Sequence, residues 1–200
     1  MADTTRSTRQ VRHERNRTEI LAAARRLVVE RGVDALSLRE VARRAGYAPA
    51  AVYTYFENRE ALIAAVGSDA TTAMAAYLEA VPRGAPVRER LIALADAYVR
   101  FAAEEPERYR AAFGRLSVAL PSWAEFARVA EPFTLIVEAF AEGIAGGEFV
   151  AAASADTMAL GLWALVHGSA DLRAVFLSAY PAEVDSAVRR AVDAYLKGLS

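Results

Sequence analysis

The sequence has no cysteine, which excludes disulfides, thiolate catalysis and cysteine-bound metals, and nothing in it requires an oxidising compartment. Histidine is nearly absent as well. His13 and His167 stand far apart and neither has a second histidine nearby, so no metal site is expected. There is no glycine-rich phosphate loop and no G-x-S-x-G elbow, and the glycines of 143–147 lack the preceding strand of a dinucleotide motif. Carboxylate pairs such as Glu104 and Glu105 fall at an expected helix end, where solvent is their natural partner. An enzyme is therefore not expected, and no cofactor. No apolar run approaches the roughly 20 residues that span a bilayer. The first residues carry arginines with no apolar stretch behind them, so no signal peptide is expected. The cytoplasm is the expected location, with no membrane partner.

What the chain has is an apolar content of 54% against 24% charged residues, the balance of a folded globular protein of one or two domains. The net charge of −1 conceals an uneven split. Residues 1–60 hold twelve arginines against eight carboxylates, a balance of +4, while residues 61–200 hold twelve basic and seventeen acidic residues, a balance of −5. A basic N-terminal quarter on an acidic body suggests a polyanion-binding head.

The head is organised around residues 37–59, SLREVARRAGYAPAAVYTYFENR. Ser37 can N-cap a helix, and Glu40 three residues on completes a capping box. Leu38, Val41, Ala42 and Ala45 fall on one helical face. Gly46 suits the left-handed residue that ends a helix, and Pro49 suits the first turn of the next, where no N–H is needed. Val52 and Phe56, four apart, are placed to bury against the first helix while Tyr53 and Tyr55 point elsewhere. Two short helices across a glycine turn make a helix-turn-helix, with the second helix shaped for a DNA groove.

Residues 17–62 resemble the N-terminal domain of the tetracycline-repressor (TetR) family of transcriptional regulators. The matching pattern runs from Ile20, Ala23 and Ala24 through Gly32, Leu36-Ser37-Leu38, Val41-Ala42 and Ala45-Gly46 to Tyr53, Tyr55-Phe56 and Leu62. The resemblance implies phosphate clamps at Ser37, Tyr53, Tyr55 and Arg59, which fix register without reading sequence. It places Arg39 where the family's first hairpin helix can reach a guanine, for which a guanidinium offers a bidentate fork. Tyr47, Ala48, Pro49, Ala50 and Ala51 fall on the positions facing base edges. These are poor in hydrogen-bonding groups, so polar readout passes to Arg39, Tyr47, Thr54, Arg43 or Arg44, while Ala50 and Ala51 can meet thymine methyls. Glu57 departs from the family, where lysine is common.

Before the hairpin, residues 1–16 are polar and carry Arg6, Arg9, Arg12 and Arg15 at intervals of three. They read as a flexible basic arm that is either a plain tail or a tracker of phosphates or the minor groove. A helix is expected over 16–31 with Ile20, Ala23, Ala24, Leu27 and Val28 inward, closed by Gly32. Asn58 can cap a helix over 58–80, the candidate transmitter between head and body. Residues 63–200 form a body that reads as helical throughout. A helix over 87–104 is expected, another from Pro106 and a break at Pro121. Glycines 143, 146 and 147 end an element over 133–145, and Pro181 opens a last amphipathic helix. The expected fold is all-α, with about nine helices.

The resemblance further implies an effector cavity and a homodimer. The candidate ligand-binding residues are Tyr98, Phe101, Phe113, Trp123, Phe126, Phe133, Trp163 and His167, with Asp96, Arg100 and Glu138 as possible polar anchors. The stretch 163–168 resembles the Trp–His–Gly class of TetR C-terminal domains. Val184, Val188, Ala191, Tyr195 and Leu199 form a stripe on the last helix. With Leu162, Val166 and Gly168 of the preceding one, they are the expected dimer interface. The expected function is a ligand-responsive repressor: a homodimer on a palindromic operator in double-stranded DNA, released by a small, largely apolar effector. The alternative is a DNA-binding architectural protein without a ligand.

Overall fold

The computed structural model describes residues 8–113, 131–150, 153–175 and 177–200. Expectations placed on Arg6, Pro121, Trp123 and Phe126 lie outside them. The described residues hold nine α-helices and no strand. These are α1 (Thr8–Arg31), α2 (Leu38–Ala45), α3 (Pro49–Val52), α4 (Arg59–Glu79), α5 (Val87–Glu104), α6 (Pro106–Phe113), α7 (Glu131–Ala145), α8 (Ala155–Val175) and α9 (Pro181–Lys197).

The chain divides into two units. Residues up to 70 and the segment from Glu107 form the first; residues 71–106 and those after α6's segment form the second. The first unit's core combines Ile20, Ala23, Ala24, Leu27 and Val28 of α1 with Leu38, Val41, Val52, Phe56, Leu62 and Val66. Ala111 of α6 also enters this core, fully buried. Helix α1 begins at Thr8, well before the expected 16, so residues 8–15 are helical rather than a flexible arm. Arginine, glutamine and glutamate favour helix, Arg15 pairs with Glu19 one turn on at 3.6 Å, and Asn16 is anchored on Tyr55.

In the hairpin, Ser37 Oγ accepts from the Glu40 N–H at 3.2 Å, the first half of the expected capping box. The second half is absent: the Glu40 carboxylate takes Arg43 at 2.7 and 2.9 Å and Arg44 at 3.1 Å instead. Two guanidiniums outbid one backbone N–H for a carboxylate. Gly46 closes α2 at φ 74°, and the Tyr47 N–H reaches back to the Ala42 carbonyl at 2.9 Å, a Schellman closure. Pro49 opens α3 at its first turn. Helix α3 is a single turn, continued to Phe56 by tighter turns in which Thr54 and Tyr55 donate three residues back. Asn58 Oδ1 accepts from the Ala61 N–H at 2.7 Å and so caps α4.

Helix α4 is long and apolar enough, by length and composition alone, to cross a membrane, with a mean hydropathy of 1.3 over its best window. That corrects the expectation that no such stretch exists. Its midpoint nevertheless holds Asp69 in ion pairs, and Leu62 and Val66 lie in the first core.

In the second unit α5 is the spine, burying Leu91, Leu94, Ala95, Tyr98, Phe101 and Ala102 against α7, α8 and α9. Gly143 lies inside the last turn of α7 instead of ending it, because the Phe149 ring packs where its Cβ would stand, at 2.5 Å. Gly147, at φ 75°, makes the reversal. On α9 the inward stripe is Val184, Val188, Val192 and Leu196. Tyr195 is half-buried, its hydroxyl donating to the Met158 carbonyl at 2.8 Å across Gly161. The chain's own core thus takes up Leu162, Val166, Val184 and Val188, which were expected at a dimer interface. Ala191 and Gly168 stay exposed.

Candidate nucleic-acid interface and effector region

The hairpin turns one set of residues outward and ties another set down. Ser37, Arg39, Ala48, Pro49, Ala50 and Thr54 are exposed, and Tyr53 is 54% exposed. The side chains of Arg39 and Tyr53 make no hydrogen bond or ion pair among the described residues. They are free to meet a polyanion. The Thr54 hydroxyl donates to the Ala51 carbonyl at 2.7 Å, leaving its oxygen lone pairs outward.

The remaining expected contacts are held from within. Tyr47 donates its hydroxyl to Glu19 at 2.6 Å, and that carboxylate, with some burial, raises the phenol's pKa. The Tyr55 hydroxyl accepts from Asn16 Nδ2 at 3.1 Å, and the His13 ring lies 4.6 Å from the Tyr55 ring. An accepting hydroxyl keeps its own proton to donate, so Tyr55 is oriented for a phosphate rather than consumed. Arg44 bridges Glu30 at 2.5 Å and Glu40 at 3.1 Å, which makes it an anchor between α1 and α2. Hydrogen bonds from Arg43 and then Arg44 hold the Glu40 carboxyl down at about 2. Arg59 donates from Nε to the Leu36 carbonyl at 2.9 Å and from Nη2 to the Val33 carbonyl at 2.8 Å, stapling the loop before α2. Asn16, His13, Glu19 and Glu30 are the partners that the sequence pattern did not single out. Their separations of 14 to 42 residues from their partners give no local signal. Arg17 also lies over the Phe56 ring at 5.4 Å and shields the hairpin's end.

In the second unit, four of the expected ligand-binding residues come together. Tyr98 Oη lies 2.8 Å from His167 Nδ1, Trp163 stacks 5.4 Å from His167, and Phe133 meets Trp163 edge-on at 6.1 Å. Burial lowers the His167 pKa, opposed by Asp171 at 3.9 Å from Nε2. Phe101 is buried against Tyr77 at 5.6 Å. Phe113 belongs to the first unit and packs on Tyr109 at 5.3 Å. Of the polar anchors, Asp96 is engaged by Arg189 at 2.5 Å on the surface and Arg100 lies over Tyr77. Glu138 lines a separate cleft of about 200 Å³ floored by Leu78, Leu94, Leu135 and Ala139. Arg90 is buried in its wall, donating to the Arg83 carbonyl at 2.8 Å and to Glu142. No group of side chains among the described residues could hold a metal ion.

Residues 20–66 match the family described as bacterial regulatory proteins, tetR family, and residues 91–195 match the tetracyclin repressor-like C-terminal domain. No curated protein matches the chain. Among solved structures, a protein of unknown function from Rhodococcus sp. RHA1 is 29% identical, with 100% of this chain and 99% of that one covered and a TM-score of 0.71. A tetR-family regulator from Marinobacter aquaeolei VT8 is 21% identical over 95% of this chain and 98% of its own, with a TM-score of 0.78. The FadR regulator of Bacillus subtilis, solved with stearoyl-CoA, is 15% identical over 92% and 99%, with a TM-score of 0.72. The two matched models together span both the hairpin head and the helical body, and the chain belongs to the TetR family of transcriptional regulators, with a helix-turn-helix DNA-binding domain.

Proposed function

We propose that this chain is a ligand-responsive repressor that binds a palindromic operator as a homodimer and leaves it when a small, largely apolar effector enters the body. The observation that supports it most is the outward face of the hairpin. Arg39, Tyr53 and residues 48–50 are exposed there while neighbouring polar groups are tied down, as suits a rigid surface pressed into a groove. Residues 17–62 serve as the DNA-binding domain and 63–200 as the ligand-binding and dimerisation body of a cytoplasmic, non-enzymatic protein. Tyr98, Phe133, Trp163 and His167, with Trp123 and Phe126, take the effector, and Trp163, His167 and Gly168 put the body in the Trp–His–Gly class. Helix α4 supplies Leu62 and Val66 to the first unit and Met74 and Leu78 to the second, and it transmits the signal. The coupling works equally in both directions.

The dimer is a four-helix bundle of α8 and α9 from two protomers. Its face carries Leu160, Ala164, Gly168 and Leu172 with Ala187, Ala191 and Ala194, all exposed in the single chain. The twofold sets the two heads about 34–36 Å apart along the duplex, one helical turn.

Selection of genomic fragments with purified protein at two salt concentrations tests the reading. An enriched palindrome retained at the higher salt is expected, and stearoyl-CoA, an amphipathic compound whose acyl chain is apolar, is the first to try for release. Recovery of unrelated fragments that all dissociate with salt would favour the architectural alternative.

A further inference from the structure

The matched DNA-binding region begins at residue 20, but α1 begins twelve residues earlier. Those twelve residues have an ordered face of their own. Arg9, Arg12, His13 and Asn16 follow the i, i+3, i+4, i+7 spacing that brings side chains to one side of a helix. That side is turned toward the hairpin, because Asn16 donates to the Tyr55 hydroxyl and His13 packs on the Tyr55 ring. Arg12 and Arg9 therefore lie one and two helical turns along α1 from the Asn16 contact with Tyr55, at about 1.5 Å of rise per residue.

Both arginines are exposed, and neither makes an ion pair or hydrogen bond among the described residues. The first turn of α1 contains no acidic residue, although the positive end of the helix dipole favours one there. Cations gathered at the unfavourable end of a helix, with no carboxylate paired to either side chain among the described residues, fit a negative partner that arrives from outside. Arg15, one position off this face, is by contrast already paired with Glu19.

We propose that the first two turns of α1 are a second DNA-contact surface, in which Arg9 and Arg12 pair with backbone phosphates flanking those met by Tyr53 and Tyr55. His13 and Asn16 are positioning residues that join this surface to the hairpin through Tyr55. The contact is with phosphates of double-stranded DNA and reads no sequence. It rests on the helix-turn-helix reading above and extends the footprint beyond it.

The test uses the full chain and a duplex of about thirty base pairs of arbitrary sequence, since phosphate contacts do not need the operator. Affinity is measured by fluorescence anisotropy over a salt series for the parent, for R9Q/R12Q and for the charge-matched control R26Q/R190Q, with helicity checked by circular dichroism. Arg26 and Arg190 are exposed and lie off this face. Each lost phosphate contact lowers the slope of log K against log salt by about 0.9, so R9Q/R12Q is expected to lower it by about 1.8 per bound protomer while the control keeps the parent slope. A parent slope in R9Q/R12Q overturns the proposal, as does an equal fall in the control, which would reduce the effect to bulk charge. A parent that binds no duplex at any salt overturns the DNA-binding reading itself.

Discussion

Arg39 and Arg59 belong to one hairpin, yet their guanidiniums have different work. The Arg39 side chain makes no ion pair or hydrogen bond among the described residues, so Arg39→Ala should leave stability unchanged and relax preference at one base position, by about 1–3 kcal/mol of discrimination. Competition with single-base operator variants measures this, and an equal loss on every sequence would make Arg39 a phosphate contact. Arg59 donates to two carbonyls while its side chain stays 38% exposed. Charge-assisted bonds discounted for that solvent screening give an expected loss of about 1–2 kcal/mol for Arg59→Ala, read as a lower urea midpoint. An unchanged midpoint with weaker DNA binding would return Arg59 to the role of phosphate clamp. His167 carries a pH signature. Its folded pKa lies below its unfolded value because burial disfavours the cation, so its contribution is present above about pH 6.5 and is lost as pH falls through the folded value. Urea midpoints should therefore fall between about pH 7 and pH 5, and His167→Asn should flatten that part of the profile. A slope identical in both proteins would remove His167 as its source.

At the scale of the elements, the first unit is closed by a charge knot that no local pattern announces. Asp69 of α4 accepts from Arg25 of α1 at 2.5 Å and from Arg108 of α6 at 3.0 Å. Asp69→Asn would leave two partly buried guanidiniums facing each other. Discounted for the side chains' 11–25% exposure, the expected destabilisation is about 1–2 kcal/mol, measurable by urea unfolding of the full chain. An Asn variant as stable as the parent would show that solvent already screens the pair. The contrast with the helix boundaries is instructive. Ser37, Gly46, Pro49 and Asn58 were legible because caps and turns are made within four or five residues, so residue type and spacing suffice. Asp69 with Arg25 and Arg108, or Asn16 with Tyr55, joins residues 39 to 44 apart, and any of several arginines or amides in the sequence satisfies the same chemistry. The start of α1 was hidden for a related reason. A polar, arginine-rich segment is compatible with tail or helix, and the anchoring of Asn16 and His13 on a distant tyrosine favours the helix.

At the scale of the whole molecule, the last helix shows why a periodic pattern can identify a helix and still misplace its faces. The stripe 184, 188, 191, 195, 199 and the stripe 184, 188, 192, 196 both satisfy a period of 3.6, and both begin with the same two valines. The chain buries the second, because Val192 and Leu196 offer more apolar area than Ala191 and Tyr195, whose hydroxyl needs a partner. The residues left outside on α8 then set the terms of assembly. Leu160 is 38% exposed and Leu172 is 49% exposed, with Ala164 and Gly168 between them at intervals of four. An aliphatic stripe interrupted by small residues is poorly suited to water and well suited to a second helix at short range. If a second copy covers it, L160E/L172E places four carboxylates in an apolar seam and should turn a dimer into a monomer in analytical ultracentrifugation, with the helical content of the chain intact. Operator affinity should fall with it, since one head holds only one half-site, whereas Ala182→Glu, an exposed position in the first turn of α9 away from the stripe, should leave the dimer in place. A parent that sediments as a monomer at all concentrations, or a variant that stays dimeric, would move the twofold to another face.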